Sequence, residues 1–262
     1  MTYKTLSFEV SAGIAHLTLN RPDAANAFNL EISRELFDAA VACDERADIR
    51  SVILTGKGTM FSAGGDLKYF SERGAQLSTA LKEITALLHS AITRMAHMDA
   101  PVVGAINGMA AGAGLSLAAA CDYVIAGQST RFTLAYTAAG LSPDGSSTWY
   151  LPRLIGLRRT RELMLTNRIL DATEAYEIGI IDKVVADDSL MDTAIKQAEI
   201  FSKGPTKAYG ATKRLLQETW SSGLETQMDR ETRAISHLAR TEDAHEGIDA
   251  FMRKRKPTFT GK

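Results

Sequence analysis

Pro101-Val-Val-Gly-Ala-Ile-Asn-Gly-Met-Ala-Ala-Gly-Ala-Gly-Leu-Ser-Leu-Ala-Ala-Ala-Cys-Asp122 is the most informative stretch of the chain. Pro101 to Ile106 is short and nearly all apolar, the pattern of a strand covered on both faces. Asn107-Gly108 is a turn dipeptide. Gly114 to Ala120 predicts a helix whose small side chains allow close packing, and Asp122 to Ala126 predicts another strand. Strand, turn, helix and strand in immediate succession indicate an α/β core.

The same rhythm recurs on both sides. Ile14 to Leu19 reads as a strand that Asn20-Arg21-Pro22-Asp23 breaks. From Leu30 to Cys43 the apolar residues Leu30, Leu36, Phe37, Ala40 and Val41 recur at helical spacing. Ser51 to Thr55 is a second buried strand, Gly56 to Gly65 a loop, and Leu81 to Met98 a helix. Thr173 to Ile178 predicts a helix with Thr173 as its N-cap, and Ile181 to Val185 a strand. After Ser202-Lys-Gly-Pro205 the strand signals stop. Helices are expected over Thr206–Trp220, Thr226–Ala239 and His245–Arg253. Residues 1–200 are therefore expected to form the core that carries the site, and residues 201–262 a helical C-terminal region. Leu215, Leu216, Trp220, Leu224 and Met228 give that region more apolar surface than a lone hairpin hides, and a neighbouring subunit would cover it.

Of 262 residues, 45% are hydrophobic and 23% charged, an ordinary globular mix that excludes disorder as the main state. Lys and Arg number 30 against 31 Asp and Glu, so no positive field recommends a nucleic acid or an anionic membrane as partner. Cys43 and Cys121 make no disulfide framework and no Cys-x-x-Cys. The N-terminus carries no basic-then-apolar signal, and the longest apolar stretch, Gly108 to Ala120, is too short to span a bilayer. A cytoplasmic protein is expected. Gly-x-Gly-x-x-Gly with a following acid, Gly-Lys-Ser/Thr, His-Glu-x-x-His and Gly-x-Ser-x-Gly are all absent, which argues against dinucleotide, phosphate-loop, zinc-protease and serine-hydrolase chemistry.

Two glycine turns remain as candidate sites: Phe61-Ser-Ala-Gly-Gly-Asp-Leu67 and Asn107-Gly-Met-Ala-Ala-Gly-Ala-Gly114. Each follows a strand and lacks bulky side chains, so a ligand can approach the backbone. Two free N–H groups converging on one carbonyl oxygen form an oxyanion hole. The plainer reading is that Gly and Ala here permit tight strand–helix packing.

Taken together, these segments resemble the crotonase, or enoyl-CoA hydratase/isomerase, superfamily. The resemblance runs through Leu19-Asn-Arg-Pro22, Asn26-Ala-Phe-Asn29, Ala63-Gly-Gly-Asp66, Asn107 to Gly114, Ala120-Cys-Asp122, Gly140-Leu-Ser-Pro-Asp-Gly145, Ala172-Thr-Glu-Ala175 and Gly179-Ile-Ile-Asp182. It implies a crotonase-like spiral of strand–strand–helix turns with a helical trimerisation region, commonly a homotrimer or a dimer of trimers. It implies an acyl-CoA thioester as substrate, coenzyme A being part of that substrate and no separate cofactor being needed. The backbone N–H groups of Gly65 and Ala113 would hold the thioester oxygen. Backbone around Ala25, Ala27, Ala63, Gly64, Asp66, Leu67 and Gly112 would lie along CoA and substrate, and Lys254, Arg255 and Lys256 are candidates for its phosphates. Trp149, Met109, Tyr136 and the segment Lys68 to Ser78 are expected in the acyl pocket walls.

The sequence departs from the family's hydratases at the reacting centre. Their two glutamates match Ser116 and Tyr136 here, and neither hydroxyl serves well as acid or base near neutrality. The acid that remains is Asp144. The segment Leu141-Ser-Pro-Asp-Gly-Ser-Ser-Thr-Trp149 resembles the phenylacetate-pathway isomerase branch, in which the matching Asp is the catalytic base. Pro-Asp-Gly is equally a strong turn signal. His89 and Asp144 also match the His and Asp of 4-chlorobenzoyl-CoA dehalogenase, another member of the superfamily, where Tyr136 would replace a Trp. Three functional readings thus stand at this level: a one-base enoyl-CoA isomerase, a dehalogenase or thioester hydrolase using Asp144 and His89, and an acyl-CoA-binding paralogue without turnover.

Overall fold

The computed structural model describes residues 3–262. In chain order the elements are β1 (Leu6–Ser11), β2 (Ile14–Leu19), α1 (Leu30–Glu45), β3 (Ser51–Gly56), α2 (Leu67–Ser71), α3 (Leu77–His97), β4 (Val102–Ile106), β5 (Met109–Ala111), α4 (Ala113–Ala119), β6 (Tyr123–Gly127) and β7 (Arg131–Thr133). They continue with α5 (Ser147–Thr166), β8 (Leu170–Asp171), α6 (Ala172–Glu177), β9 (Lys183–Val185), α7 (Leu190–Ser202), α8 (Thr206–Glu218), α9 (Leu224–Leu238) and α10 (Glu242–Met252).

Six strands form one sheet in the order β1-β2-β3-β4-β6-β9, antiparallel between β1 and β2 and parallel elsewhere. A second, smaller layer holds β5, β7 and β8. Two single-residue parallel pairings extend that layer toward the N-terminal side, Phe28 with Gly65 and Ser62 with Ala110. The rhythm read from the sequence is this spiral. The chain runs up a large-sheet strand, steps into the small layer, and leaves by a helix: β2, Phe28, α1; β3, Ser62–Gly65, α2; β4, β5, α4; β6, β7, α5.

β3 and β4 are buried almost throughout, as all-apolar strands between covering helices should be. α1 and α3 pack against each other through Ile32, Leu36, Ala39 and Ala40 on one side and Leu88, Ala91, Ile92 and Met95 on the other. α7 covers the opposite face, where Ala194 and Ala198 seat beside Ile53, Val103 and Ile125.

Local chemistry fixes the ends of several elements. Asn29 caps α1 by accepting from the N–H groups of Glu31 and Ile32, and Asp66 caps α2 by accepting from Tyr69. The expected cap at Thr173 is corrected: Asp171 holds that role, its carboxylate accepting from the Glu174 N–H at 2.8 Å, because α6 begins one residue earlier. The sequence gives no signal for β1, α2, β5, β7, α5, β8 or α7. α5 carries Pro152 and a break at Gly156 (φ 79°), which blur its periodicity.

Past residue 202 the chain forms the helices α8, α9 and α10 and no strand, as expected, and α8 lies against α3 with Lys213 reaching Asp122 at 2.7 Å and the Met95 carbonyl at 2.8 Å. Arg50 ties the end of the chain to the core through Thr206, the Phe259 carbonyl and the Gly204 carbonyl. Leu216, Trp220, Leu224 and Met228 are all more than half exposed on this one chain. Among the described residues no helix is long and apolar enough to cross a membrane.

Asn26 is the interior clamp of the first loop. It is fully buried with φ 52°, donates to the carbonyls of Lys57 and Met60 at 3.0 and 2.7 Å, and accepts from the Arg21 N–H at 2.8 Å. Asn26→Ala leaves those groups unpaired in the interior and is expected to lower the unfolding free energy by about 2–3 kcal/mol in denaturant titration. A loss under about 0.5 kcal/mol, the range of surface substitutions, would contradict this placement.

Candidate active site

The two glycine turns meet because their strands do. Ser62 pairs with Ala110, the Ala111 N–H donating to the Ser62 carbonyl at 2.8 Å and the Ser62 N–H to the Met109 carbonyl at 3.1 Å. Gly65 and Ala113 each lie three residues beyond this pair, at the same step of successive spiral turns. In the Phe28–Gly65 bridge the bonds run from Phe28 N–H to the Gly64 carbonyl and from Asp66 N–H to the Phe28 carbonyl, so the Gly65 N–H points away from the pairing. Ala113 is the first residue of α4, where an N–H has no intrahelical partner. Both N–H groups are free of protein partners and open on one cavity of about 290 Å³.

Gly64 makes the approach possible. Its φ is 88°, and a Cβ there would sit 2.7 Å from the Ala111 carbonyl oxygen and 3.1 Å from the Ala113 nitrogen. The loop behind it is braced from outside. The Ser62 hydroxyl donates to the Asn26 carbonyl and accepts from the Gly64 N–H, and the Ala63 N–H donates to the Ala25 carbonyl. Arg21 bonds the Ala27 carbonyl and meets the Asp66 carboxylate at 3.0 Å.

Most of the cavity wall is apolar: Phe28, Leu67, Phe70, Leu81, Ile84, Leu88, Leu134 and Leu141. Among the described residues, Asp144 is the only acidic side chain in that wall. Its carbonyl is pinned by the Ser116 hydroxyl at 2.9 Å, the Ser147 hydroxyl at 2.9 Å and the Ser147 N–H at 3.2 Å. The side chain is left to face the cavity. The Tyr136 hydroxyl donates to Asp144 Oδ1 at 2.6 Å, and His89 Nε2 lies 3.5 Å from Oδ2. Burial first, then the neighbouring carboxylate and its hydrogen bond, push the Tyr136 phenol far above its ordinary value, so it stays a donor. Ser116 and Tyr136 touch through their hydroxyls at 3.0 Å. A Cβ on Gly145 would sit 2.9 Å from the Cβ of Ser116, so the turn after Asp144 is packed onto that residue.

Of the residues singled out from the sequence, Gly65, Ala113, Asp144, Tyr136, Ala63, Leu67 and Gly112 line this cavity. Ala25, Ala27, Gly64 and Asp66 do not; they build the loop behind it, and the Asp66 carboxylate is occupied by Arg21 and the N-terminus of α2. His89 stands outside the wall, against Asp144. Trp149 and Met109 are not in the wall either. Trp149 lies on α5 with the Arg153 guanidinium 3.3 Å from its ring centroid and its indole N–H donating to Gln217. Of Lys68 to Ser78, only Phe70 lines the cavity. Arg255 is held by Glu246 and Asp249, whereas the side chains of Lys254 and Lys256 are exposed. Phe28 and the α3 stripe Leu81, Ile84, Thr85 and Leu88 were missed as lining residues, although their helical spacing was visible. Among the described residues no group of three or more His, Cys, Asp or Glu side chains is placed to hold a metal ion.

A two-layer spiral whose apolar cavity is lined by two residues with free N–H groups and by one carboxylate has the makings of an acyl-transfer or enolate type of site. The model of the enoyl-CoA hydratase/isomerase family matches residues 9–262, and the chain belongs to that family. It is 38% identical over the full length of both chains to a probable enoyl-CoA hydratase of Rhodobacter capsulatus. It is 37% identical to 1,2-epoxyphenylacetyl-CoA isomerase of Escherichia coli, covering 97% of each chain. Its fold matches the crystal structure of a putative enoyl-CoA hydratase/isomerase from Mycobacterium abscessus with a TM-score of 0.92 at 33% identity, covering 98% of this chain and 100% of that one.

Gly64→Ala forces the two loops apart without touching any side chain of the cavity. It is expected to weaken binding of a thioester by at least tenfold, about 1.4 kcal/mol, in a titration by calorimetry. Unchanged binding would contradict the convergence of the two turns on one ligand atom.

Proposed function

We propose that the protein is an enoyl-CoA isomerase, moving a double bond within an acyl-CoA thioester through an enolate, with Asp144 as the single acid and base. The observation that carries this reading is that Asp144 is, among the described residues, the one acidic group in the wall of the cavity that Gly65 and Ala113 also line. Asp144 removes a proton from the carbon beside the thioester carbonyl. The electron pair moves onto the carbonyl oxygen, where the two N–H groups stabilise the charge as it develops. The carboxylic acid then returns a proton two carbons further along, and the double bond moves into conjugation. One carboxylate suffices, because each half-reaction restores what the other used.

Hydration needs a second group to activate water while the first serves the carbon. The two positions that carry glutamates in the resembling hydratases hold Ser116 and Tyr136, bonded to each other. Tyr136 stays protonated, and so offers no base. The kinship with a 1,2-epoxyphenylacetyl-CoA isomerase supports an isomerase assignment. Coenzyme A enters as part of the substrate, and no other cofactor is required. The exposed Leu216, Trp220, Leu224 and Met228 support self-association through the helical C-terminal region, as a trimer or a dimer of trimers.

The contact between His89 and Asp144 favours a second reading, displacement of halide from an aryl-CoA by Asp144 followed by hydrolysis.

The test is the growth of conjugated trans-2-enoyl thioester absorbance from a cis-3-enoyl-CoA, run beside Asp144→Asn. Wild-type turnover and a loss of about 10²–10⁴-fold in kcat for the variant are expected, the range for removing a positioned acid–base group. A variant as fast as wild type would overturn the role of Asp144. Chloride release from 4-chlorobenzoyl-CoA without isomerisation would establish the second reading instead.

A further inference from the structure

The peptide unit that joins Asp144 to Gly145 is held at both of its polar ends. Its carbonyl accepts from the Ser116 and Ser147 hydroxyls, each at 2.9 Å, and from the Ser147 N–H at 3.2 Å. Its N–H, on Gly145, donates to Nε2 of His89 at 3.1 Å. A peptide is planar, so holding both ends fixes the plane in which the Asp144 Cα lies. The turn needs such support. Gly145 and Ser146 follow with φ 59° and 74°, and a residue with a side chain keeps the left-handed conformation only where its surroundings hold it. His89 reaches the turn from α3, a helix seated in the core through Leu88, Ala91 and Ile92. The acceptor therefore stands on a rigid element.

A ring nitrogen accepts a hydrogen bond through its single lone pair. The Gly145 bond thus occupies the lone pair of Nε2 and places the ring proton on Nδ1. Asp144 Oδ2 lies 3.5 Å from Nε2 with no imidazole proton between them. The carboxylate itself is held from the other side, where the Tyr136 hydroxyl donates to Oδ1 at 2.6 Å. We infer that His89 is a positioning residue for Asp144: it holds the Gly145 N–H, and through that peptide the base, and carries no proton of the reaction. This rests on the isomerase reading above. Proton removal and return stay with Asp144. A dehalogenase or hydrolase that uses His89 would need the same lone pair for water. The positioning role asks only for an acceptor at the place of Nε2. Glutamine supplies one, because its amide oxygen stands as many bonds from Cβ as Nε2 does and takes up no proton.

The experiment compares wild type, His89→Gln and His89→Leu in the conversion of a cis-3-enoyl-CoA, with kcat and KM separated. His89→Leu removes the acceptor and is expected to lose about tenfold to a hundredfold in kcat, the scale of a small displacement of a catalytic group. His89→Gln is expected to recover most of that loss. A loss as deep in His89→Gln as in His89→Leu overturns the inference, because the ring itself would be needed. So does a His89→Leu as fast as wild type, or a loss that falls on KM instead of kcat. Nitrogen-15 NMR of histidine-labelled protein at the pH of the assay reads the contact without turnover, the His89 signals being those that His89→Gln lacks. A proton on Nδ1 and an unprotonated, hydrogen-bonded Nε2 are expected; a proton on Nε2 overturns the inference. This measurement decides the contact even where His89→Leu does not fold. A wild type that fails to isomerise refutes the isomerase reading, and the nitrogen signals still show whether His89 holds the turn.

Discussion

The pairing of Ser62 with Ala110 is the constraint on which the site depends. It is a two-bond contact between successive turns of a spiral, yet it sets the register of everything beyond it. Three residues past each partner the chain leaves the small layer for a helix, and there it exposes one N–H. A slip of one residue would turn one of those N–H groups away. The surrounding effort is accordingly spent on holding this register. Asn26 fills the space under the loop, Ser62 bridges it to Gly64, and Arg21 ties the Ala27 carbonyl to Asp66. These polar residues sit in or near the interior because each hydrogen bond they make is to loop backbone or to a helix cap, which has no ladder of its own.

The second half of the site is assembled by a different device. Asp144 sits in a Pro-Asp-Gly turn whose carbonyl, not its carboxylate, is the structural anchor. The side chain is thereby released from capping duty and faces the cavity between a phenol and an imidazole. Gly145 packs directly on Ser116, so the exchange of glutamate for serine relative to the resembling hydratases comes with a turn that occupies the vacated room. Ser116, Tyr136 and the turn that carries Asp144 are one packing unit.

Much of this was legible in the residues. β2 matches its predicted bounds, and β3, β4, α1 and α8 lie within a few residues of theirs, because apolar periodicity and turn residues agree along them. Asp144 was readable as a candidate, the acid left over when Ser116 and Tyr136 stand in place of glutamates, and it lines the cavity. What escaped was three-dimensional. Nothing local tells that Asp66 is consumed by Arg21, or that Trp149 stacks on Arg153 rather than lining the cavity, since both depend on which way a side chain leaves its element. α5 was hidden by Pro152 and Gly156, and the cap of α6 moved to Asp171 because two oxygen-bearing residues stood near one helix start. The Tyr136–Asp144–His89 line joins three segments that only the fold brings together.

The central claim is that the Gly65 and Ala113 N–H groups polarise a thioester carbonyl. Difference infrared spectroscopy of a bound acyl-CoA, with and without carbon-13 at the carbonyl, reads that polarisation directly. The account predicts that the carbonyl stretch moves to lower frequency on binding, because two donors in a water-poor cavity draw charge onto the oxygen. A saturated complex whose carbonyl stretch equals that of the free thioester in water, or lies above it, would contradict the account.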